Sequence, residues 1–366
     1  MPSDRRGRLE RRRFLHVVAA SLGGMTWSRV AAGQDAPTGR VRERAGLELI
    51  TPATKTAIER GLNFLNQRQI TRGNLRGAFG SNGYAAGVAV CGLAGLAFLT
   101  SGSAPGRGKY GQAIDRCLDY LLANTDENGY ISAQAQGGQD RMYGHGFATL
   151  FLAEAYGMGV HADREEALGK KLRAAVRLIV NTQNDQGGWR YQPVKSDADL
   201  SITICQIMAL RAARDAGLDV PEATRNKCID YVKRSHTGDG FQYTLGGGRT
   251  TFALTAAGVA ALNSAGIYDG KEIENGLKYI MKHKPNGTLE AGFSSFYGQY
   301  YAAQAMWHAG GDYWTQWYTA LRDTLLRTQR NNGSWPDPGV GDEFGAAVGC
   351  IILQLPYNYV PVFSEG

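Results

Sequence analysis

The chain has 366 residues, 43% of them hydrophobic and 20% charged, a size and balance ordinary for a globular protein of one large or two small domains. Its formal charge of +7 sits mostly at the start: residues 1–33 carry seven Arg against Asp4 and Glu10, a net +5, which leaves about +2 for the rest. A body so near neutrality makes no electrostatic case for nucleic-acid binding.

At the N-terminus, Arg11-Arg12-Arg13-Phe14-Leu15 resembles the Arg-Arg-x-Phe-Leu core of twin-arginine export signals. The weakly apolar run Val17–Met25 that follows is too short and too Gly-rich to span a membrane. Val30-Ala31-Ala32 supplies small residues for cleavage. The resemblance implies that residues 1–33 direct export to the periplasm or cell exterior, with 34–50 as a polar linker. The alternative is a disordered basic tail with a short helix.

From residue 51 the chain repeats itself six times. Each unit holds a helix-like stretch, a turn built on Gly and a second, more apolar helix-like stretch; the first five end in a Gly-containing stop and the sixth runs out at Leu355-Pro356. The turns read Gly77-Ala78-Phe79, Gly129-Tyr130, Gly188-Trp189, Gly240-Phe241, Gly287-Thr288 and Gly333-Ser334-Trp335. The first stretches (Ile58 to Leu65, Ile114–Leu122, Leu172–Asn181, Thr224–Ser235, Ile273–His283, Trp314–Arg330) are amphipathic. The second stretches begin near Tyr84 and continue as Tyr143–Tyr156, Leu200–Ala213, Thr251–Asn263, Phe296–Ala309 and Phe344–Leu353. They are more apolar and rich in Ala and Gly; the first, Val88 to Leu96, is apolar nearly all round, which predicts burial on both sides. A fixed period also means that no unit buries its apolar face alone. The expectation is an all-α fold: an α/α toroid over 51–363, six helical hairpins with second helices as an inner ring and first helices outside.

The five cysteines (Cys91, Cys117, Cys205, Cys228, Cys350) include no CxxC pair, which excludes a zinc ribbon and a thioredoxin-type motif. Buried thiols are the plain reading.

Gln329-x-x-x-Gly333-Ser334-Trp335 fits the QxxxGxW repeat of squalene and terpenoid cyclases, and Gln183 to Trp189 is a near match. The chain therefore resembles the toroid shared by squalene-hopene cyclases, protein prenyltransferase β subunits and thioester-containing complement domains. That resemblance implies a central cavity at the N-terminal end of the inner helices. The sequence places there Tyr84, Asp140, Arg141, Tyr143, His145, Asp197, Asp199, Arg249, Phe252, Tyr297, Gln299, Tyr300, Tyr301, Asp342, Glu343 and Phe344.

Within Ser196-Asp197-Ala198-Asp199-Leu200-Ser201, Asp197 and Asp199 resemble the DxDD acid motif of squalene-hopene cyclases, with Asp199 at the protonating position; Leu200 replaces the fourth acid. Burial beside a second carboxylate holds a proton on one Asp. The competing reading makes Ser196 or Asp197 an N-cap and Asp199 a first-turn acid. Substrate-binding candidates are His145, set between Gly144 and Gly146, with Tyr143, Arg249 and the aromatic run Phe293, Phe296, Tyr297, Tyr300, Tyr301 and Trp307. Flanking glycines suggest close approach of backbone or ligand; the plain reading of His145 is a hydrogen-bonded packing residue. The Asp-x-Cys zinc pair of prenyltransferases is absent, so no metal and no cofactor are expected.

Three functions follow. The first is an exported protein of cyclase type that binds or cyclises an isoprenoid-class ligand; peripheral membrane contact is compatible with it. The rivals are a carbohydrate-active lyase or hydrolase, and a non-catalytic binding scaffold. Oligomeric state is not readable.

Overall fold

The computed structural model describes residues 46–80, 84, 86–133, 141–159, 161–289 and 295–364. Residues 1–45, with the export segment and most of the linker, lie outside it, as do Asp140 and Phe293.

Among the described residues, long outer helices alternate with buried inner ones. The outer helices are α1 (Pro52–Arg68), α3 (Gly111–Ala123), α5 (Ala162–Thr182), α7 (Glu222–Arg234), α9 (Lys271–Lys282) and α11 (Gly311–Thr328). The inner ones are α2 (Val88–Leu99), α4 (Arg141–Ala155), α6 (Leu200–Asp215), α8 (Phe252–Ser264), α10 (Ser295–Ala309) and α12 (Asp342–Gln354). One two-residue hairpin pairs His236–Thr237 (β1) with Gly240–Phe241 (β2).

Each inner helix packs on the next, α2 on α4 and so on to α12, and α12 packs back on α2 to close the ring. Small residues make the approach close. A Cβ on Gly92 of α2 would lie 2.8 Å from the Phe147 carbonyl oxygen of α4. Most of the outer helices, α7 excepted, do not pair mainly with the inner helix that follows them. Instead α3 lies on α2, α5 on α4, and α1 on α12, so the two ends of the repeat region lock together.

Local chemistry sets the helix starts. Thr51 caps α1 through Thr54 N, with Pro52 at the first position. Asp199 caps α6 through Ile202 N, and Thr251 caps α8 through Leu254 N. The first inner helix starts at Val88 rather than near Tyr84, because Ala86 adopts φ 62° and breaks the helical path.

A recurrent clamp joins successive units. Gln69, Gln183 and Gln329 follow the ends of α1, α5 and α11. Their side-chain amides donate to the Gly-turn carbonyls of Gly77, Gly187 and Gly333, and across to Ala113, Thr224 and Ala57 on the next outer helix. The Gln329 to Ala57 bond, 2.9 Å, seals the ring. Gly187 has φ 100° and a Cβ there would sit 2.0 Å from the Lys227 carbonyl; only glycine fits both demands.

The end of the ring opposite the helix N-termini is closed by the chain's last turns, Leu355–Tyr357 and Pro361–Phe363, in 3-10 conformation. Trp307 Nε1 donates to the Phe363 carbonyl at 2.8 Å, and Arg211 donates to that of Ser364. All five cysteines are buried and none is in a disulfide among the described residues.

Candidate functional site

With one end of the ring plugged, the open concavity lies at the other. A cavity of about 480 Å³ receives residues from all six inner helices: Ala89 of α2, Arg141, Tyr143 and Phe147 of α4, Ser201 of α6, Ala253 and Leu254 of α8, Tyr297 of α10 and Phe344 of α12. The loops that lead into those helices add Tyr84, Tyr191, Tyr243, Thr251 and Val340. All the helical lining residues except Phe147 lie in the first turn of their helix, so six helix N-termini converge on one space.

The floor is a hydrogen-bonded chain. Ser201 Oγ donates to Asp199 Oδ1 at 2.5 Å. A serine hydroxyl has one proton, so the 2.5 Å contact between Tyr143 OH and Ser201 Oγ has Tyr143 as donor. Tyr297 OH donates to the Ser201 carbonyl at 2.8 Å. At the rim, the hydroxyls of Tyr191 and Tyr243 bond to each other. Four lining tyrosines thus have their hydroxyls engaged by protein and turn their rings to the cavity. Tyr143 stands edge-on to Tyr297, centroids 6.2 Å apart and planes at 88°. Burial pushes the Tyr143 and Tyr297 phenols well up from their ordinary range, so both keep their protons.

Asp199 is sealed beneath this floor, with no exposed surface. It caps α6 itself, through Ile202 N at 3.0 Å, rather than sitting in the first turn. Its second oxygen faces Arg190 Nε at 3.3 Å. Burial raises the carboxyl above its ordinary range, against the opposing pull of Ser201, Ile202 and Arg190. Ser201 stands between it and the cavity. Asp197 is 68% exposed and pairs with Arg190 at 2.5 Å on the outer rim. Asp199→Asn should cost about 1–3 kcal/mol: the amide oxygen still accepts from Ile202 N–H and Ser201, but the buried charge facing Arg190 is lost and an amide NH2 is turned toward that guanidinium. Chemical denaturation checks this; a loss under about 0.5 kcal/mol would show that Arg190 does not require the charge.

Tyr84, Arg141, Tyr143, Tyr297 and Phe344 line the cavity as expected, and the remaining candidates among the described residues do not. His145 is fully buried and faces away from the cavity: Nδ1 accepts from Ile131 N at 3.2 Å and Nε2 donates to the Ala175 carbonyl at 3.3 Å. The glycine after it admits α6, since a Cβ on Gly146 would fall 2.8 Å from Cys205 Cβ. Tyr300 and Tyr301 lie below the floor, in the core: Tyr301 OH meets Cys205 Sγ at 3.3 Å, and the two rings are 4.9 Å apart. Arg249 is exposed in the loop before α8 and does not line the cavity. Glu343 is buried against Arg68 at 2.8 Å, and Asp342 pairs with Arg330 at 2.6 Å.

Ser201, Arg190, Tyr191 and Tyr243 were not singled out from the sequence. A signal existed: Arg190-Tyr191 directly follows the Gly188-Trp189 turn, and that turn leads to an inner-helix N-terminus. Among the described residues no carboxylate lines the cavity, and no group of three His, Cys, Asp or Glu could hold a metal ion. Among the same residues no helix is long and apolar enough to cross a membrane.

No protein-family model matches the chain, and no curated protein matches its sequence. Solved structures do. A complex of the type II terpene cyclase MstE from Scytonema with geranylgeranyl dihydroxybenzoate superposes with a TM-score of 0.55 at 14% identity, over 84% of this chain and 97% of that one. The fold is the α/α toroid. It is shared equally with cellobiose 2-epimerase from Bacillus thermoamylovorans B4167 (TM-score 0.52, 14% identity, 77% and 88% of the chains) and with a glycosidase (0.52, 13%, 86% and 99%). At such identities the likeness carries the toroid and not the chemistry.

Proposed function

We propose that the cavity binds an apolar, isoprenoid-class ligand. The observation that supports this most directly is the state of the lining tyrosines: Tyr143 and Tyr297 donate their protons to Ser201, and one of Tyr191 and Tyr243 donates to the other, so of these four residues only one hydroxyl keeps a free donor and the rest offer ring faces. Phe147, Phe344, Leu254 and Val340 complete an apolar wall. A volume of about 480 Å³ falls within the usual range for small-molecule pockets. The geranylgeranyl ligand of the MstE complex is of the same chemical class.

A glycoside-processing site calls for carboxylates facing the sugar, and the described lining has none. Cyclisation by Asp199 calls for a carboxylic acid in contact with the alkene, whereas Asp199 is sealed behind Ser201. The reading is therefore of binding, with Asp199 as the buried support that orients Ser201 and, through it, the two tyrosines. Its place outside the cytoplasm rests on Arg11-Arg12-Arg13-Phe14-Leu15 alone.

The test is thermal and fluorescence titration of the purified chain with farnesol, geranylgeraniol and cellobiose. The two prenyl alcohols should stabilise the protein and cellobiose should not. Ala253→Trp, which places an indole in the cavity, should abolish the prenyl effect while the protein stays folded. Stabilisation by cellobiose without any by the alcohols would overturn the reading in favour of a carbohydrate site.

A further inference from the structure

We infer that the ligand of this cavity carries an anionic group, received by Arg141 at the mouth. The inference rests on the apolar-pocket reading above and adds the ligand's charge to it.

Three independent observations converge on Arg141. First, it lines the cavity, and its guanidinium sits over the Tyr191 ring at 5.5 Å from the centroid. Second, its backbone has φ 44°, in the left-handed region that a long side chain rarely occupies. Such conformations persist where the surroundings enforce them and cluster at ligand-binding positions. Third, it forms no ion pair among the described residues.

The contrast with its neighbours decides the argument. Arg190 also stacks on Tyr191, and on Tyr243, at 5.2 and 5.5 Å, but two carboxylates neutralise it, Asp197 and Asp199. The acids at the start of α12 are likewise matched, Glu343 by Arg68 and Asp342 by Arg330. Among the described residues that line the cavity, Arg141 is the only charged one, and no carboxylate pairs with it. The first turns of six helices add their partial positive charge to the same space. An apolar cavity closed at one end, with one unmatched cation at its open end, fits an amphipathic molecule: chain inward, anion at the mouth. Stacking on Tyr191 holds the guanidinium plane while leaving its N–H fork free for a planar carboxylate or a phosphate.

The experiment compares farnesol, farnesoic acid and farnesyl monophosphate at pH 7.5 by fluorescence titration of the full chain. One charge-assisted pair is worth about 10- to 100-fold in affinity. The acid or the phosphate should therefore bind about 10- to 100-fold tighter than the alcohol, and the margin should shrink as salt rises. Whichever of the two is tighter identifies the head group as carboxylate or phosphate. Arg141→Gln should bring all three ligands to similar affinity, and Arg141→Lys should restore part of the margin. Arg225→Gln, on outer helix α7, should leave the margin intact. Equal binding of all three by the unaltered protein would overturn the inference and leave the pocket reading standing. So would a preference for the anions that survives Arg141→Gln. Failure of all three to bind would overturn the pocket reading, and the inference with it.

Discussion

Truncating Trp335 to Ala should cost about 3–5 kcal/mol, the range for losing a fully buried large aromatic. The indole has no exposed surface and its Nε1 donates to the Leu325 carbonyl of α11 at 2.8 Å. It lies where the ring closes. A Cβ on Gly61 of α1 would come 2.8 Å from the indole, and one on Gly349 of α12 would come 3.0 Å from it. Three helices thus meet around one side chain, α11 behind it and α1 and α12 against its faces. Glycine at both contacts leaves no side chain able to collapse into the hole. Trp189 repeats the arrangement inside the ring, with Nε1 bonded to the Ile179 carbonyl at 2.7 Å. Urea denaturation of Trp335→Ala and Trp189→Ala measures both losses. Trp335→Ala is expected to be at least as costly, because it also loosens the Gln329 to Ala57 closure. A loss under about 1 kcal/mol for Trp335→Ala would remove the indole from any role in closing the ring.

These tryptophans show why the architecture was legible. Gly188-Trp189 and Gly333-Ser334-Trp335 mark the same turn in different units, and a recurring turn fixes the period without any knowledge of contacts. The layers were legible too, since a helix such as Lys271–Lys282 is apolar on one side only and must lie outside. Direction around the inner helices was not. Val88–Leu99 and Phe252–Ser264 are apolar on every face, so their sequences do not say which side looks into the cavity.

That is why Tyr143 and His145 were read together and separate in space. They are two residues apart, about 200° around the helix, which puts one toward the cavity and the other toward α5. Tyr297 and Tyr301 share a face, yet along α10 the cavity ends after the first turn and Tyr301 lies beneath it. The depth of a pocket depends on what fills the ring below, here Cys205, Tyr300 and Phe363, from three distant stretches of chain. Arg249 failed for another reason: the loop Tyr243–Thr251 brings only its two ends to the mouth, and Arg249 lies between them, exposed.

Acidification from pH 7 to pH 4 should remove about 3 kcal/mol of stability through His145 alone. Nδ1 accepts from Ile131 N–H, so the ring proton must be on Nε2, where it is donated to the Ala175 carbonyl. Protonating Nδ1 would set a second N–H against that of Ile131 in a site without water access. Burial accordingly lowers the imidazole from 6.5 to about 4. The folded-state value is depressed, so the unfolded chain binds the proton more tightly. The contribution is fully present above pH 6.5 and is lost as pH falls through that value toward 4. The span of about 2.5 units at 1.36 kcal/mol each gives the magnitude. His145→Gln supplies the comparison, since its amide can accept and donate but does not titrate. The variant should be less stable than the unaltered protein at pH 7, and the gap between them should narrow by about 3 kcal/mol by pH 4. Parallel stability curves for the two proteins over that interval would show that His145 titrates normally, and would return it to the set of candidates for an accessible site.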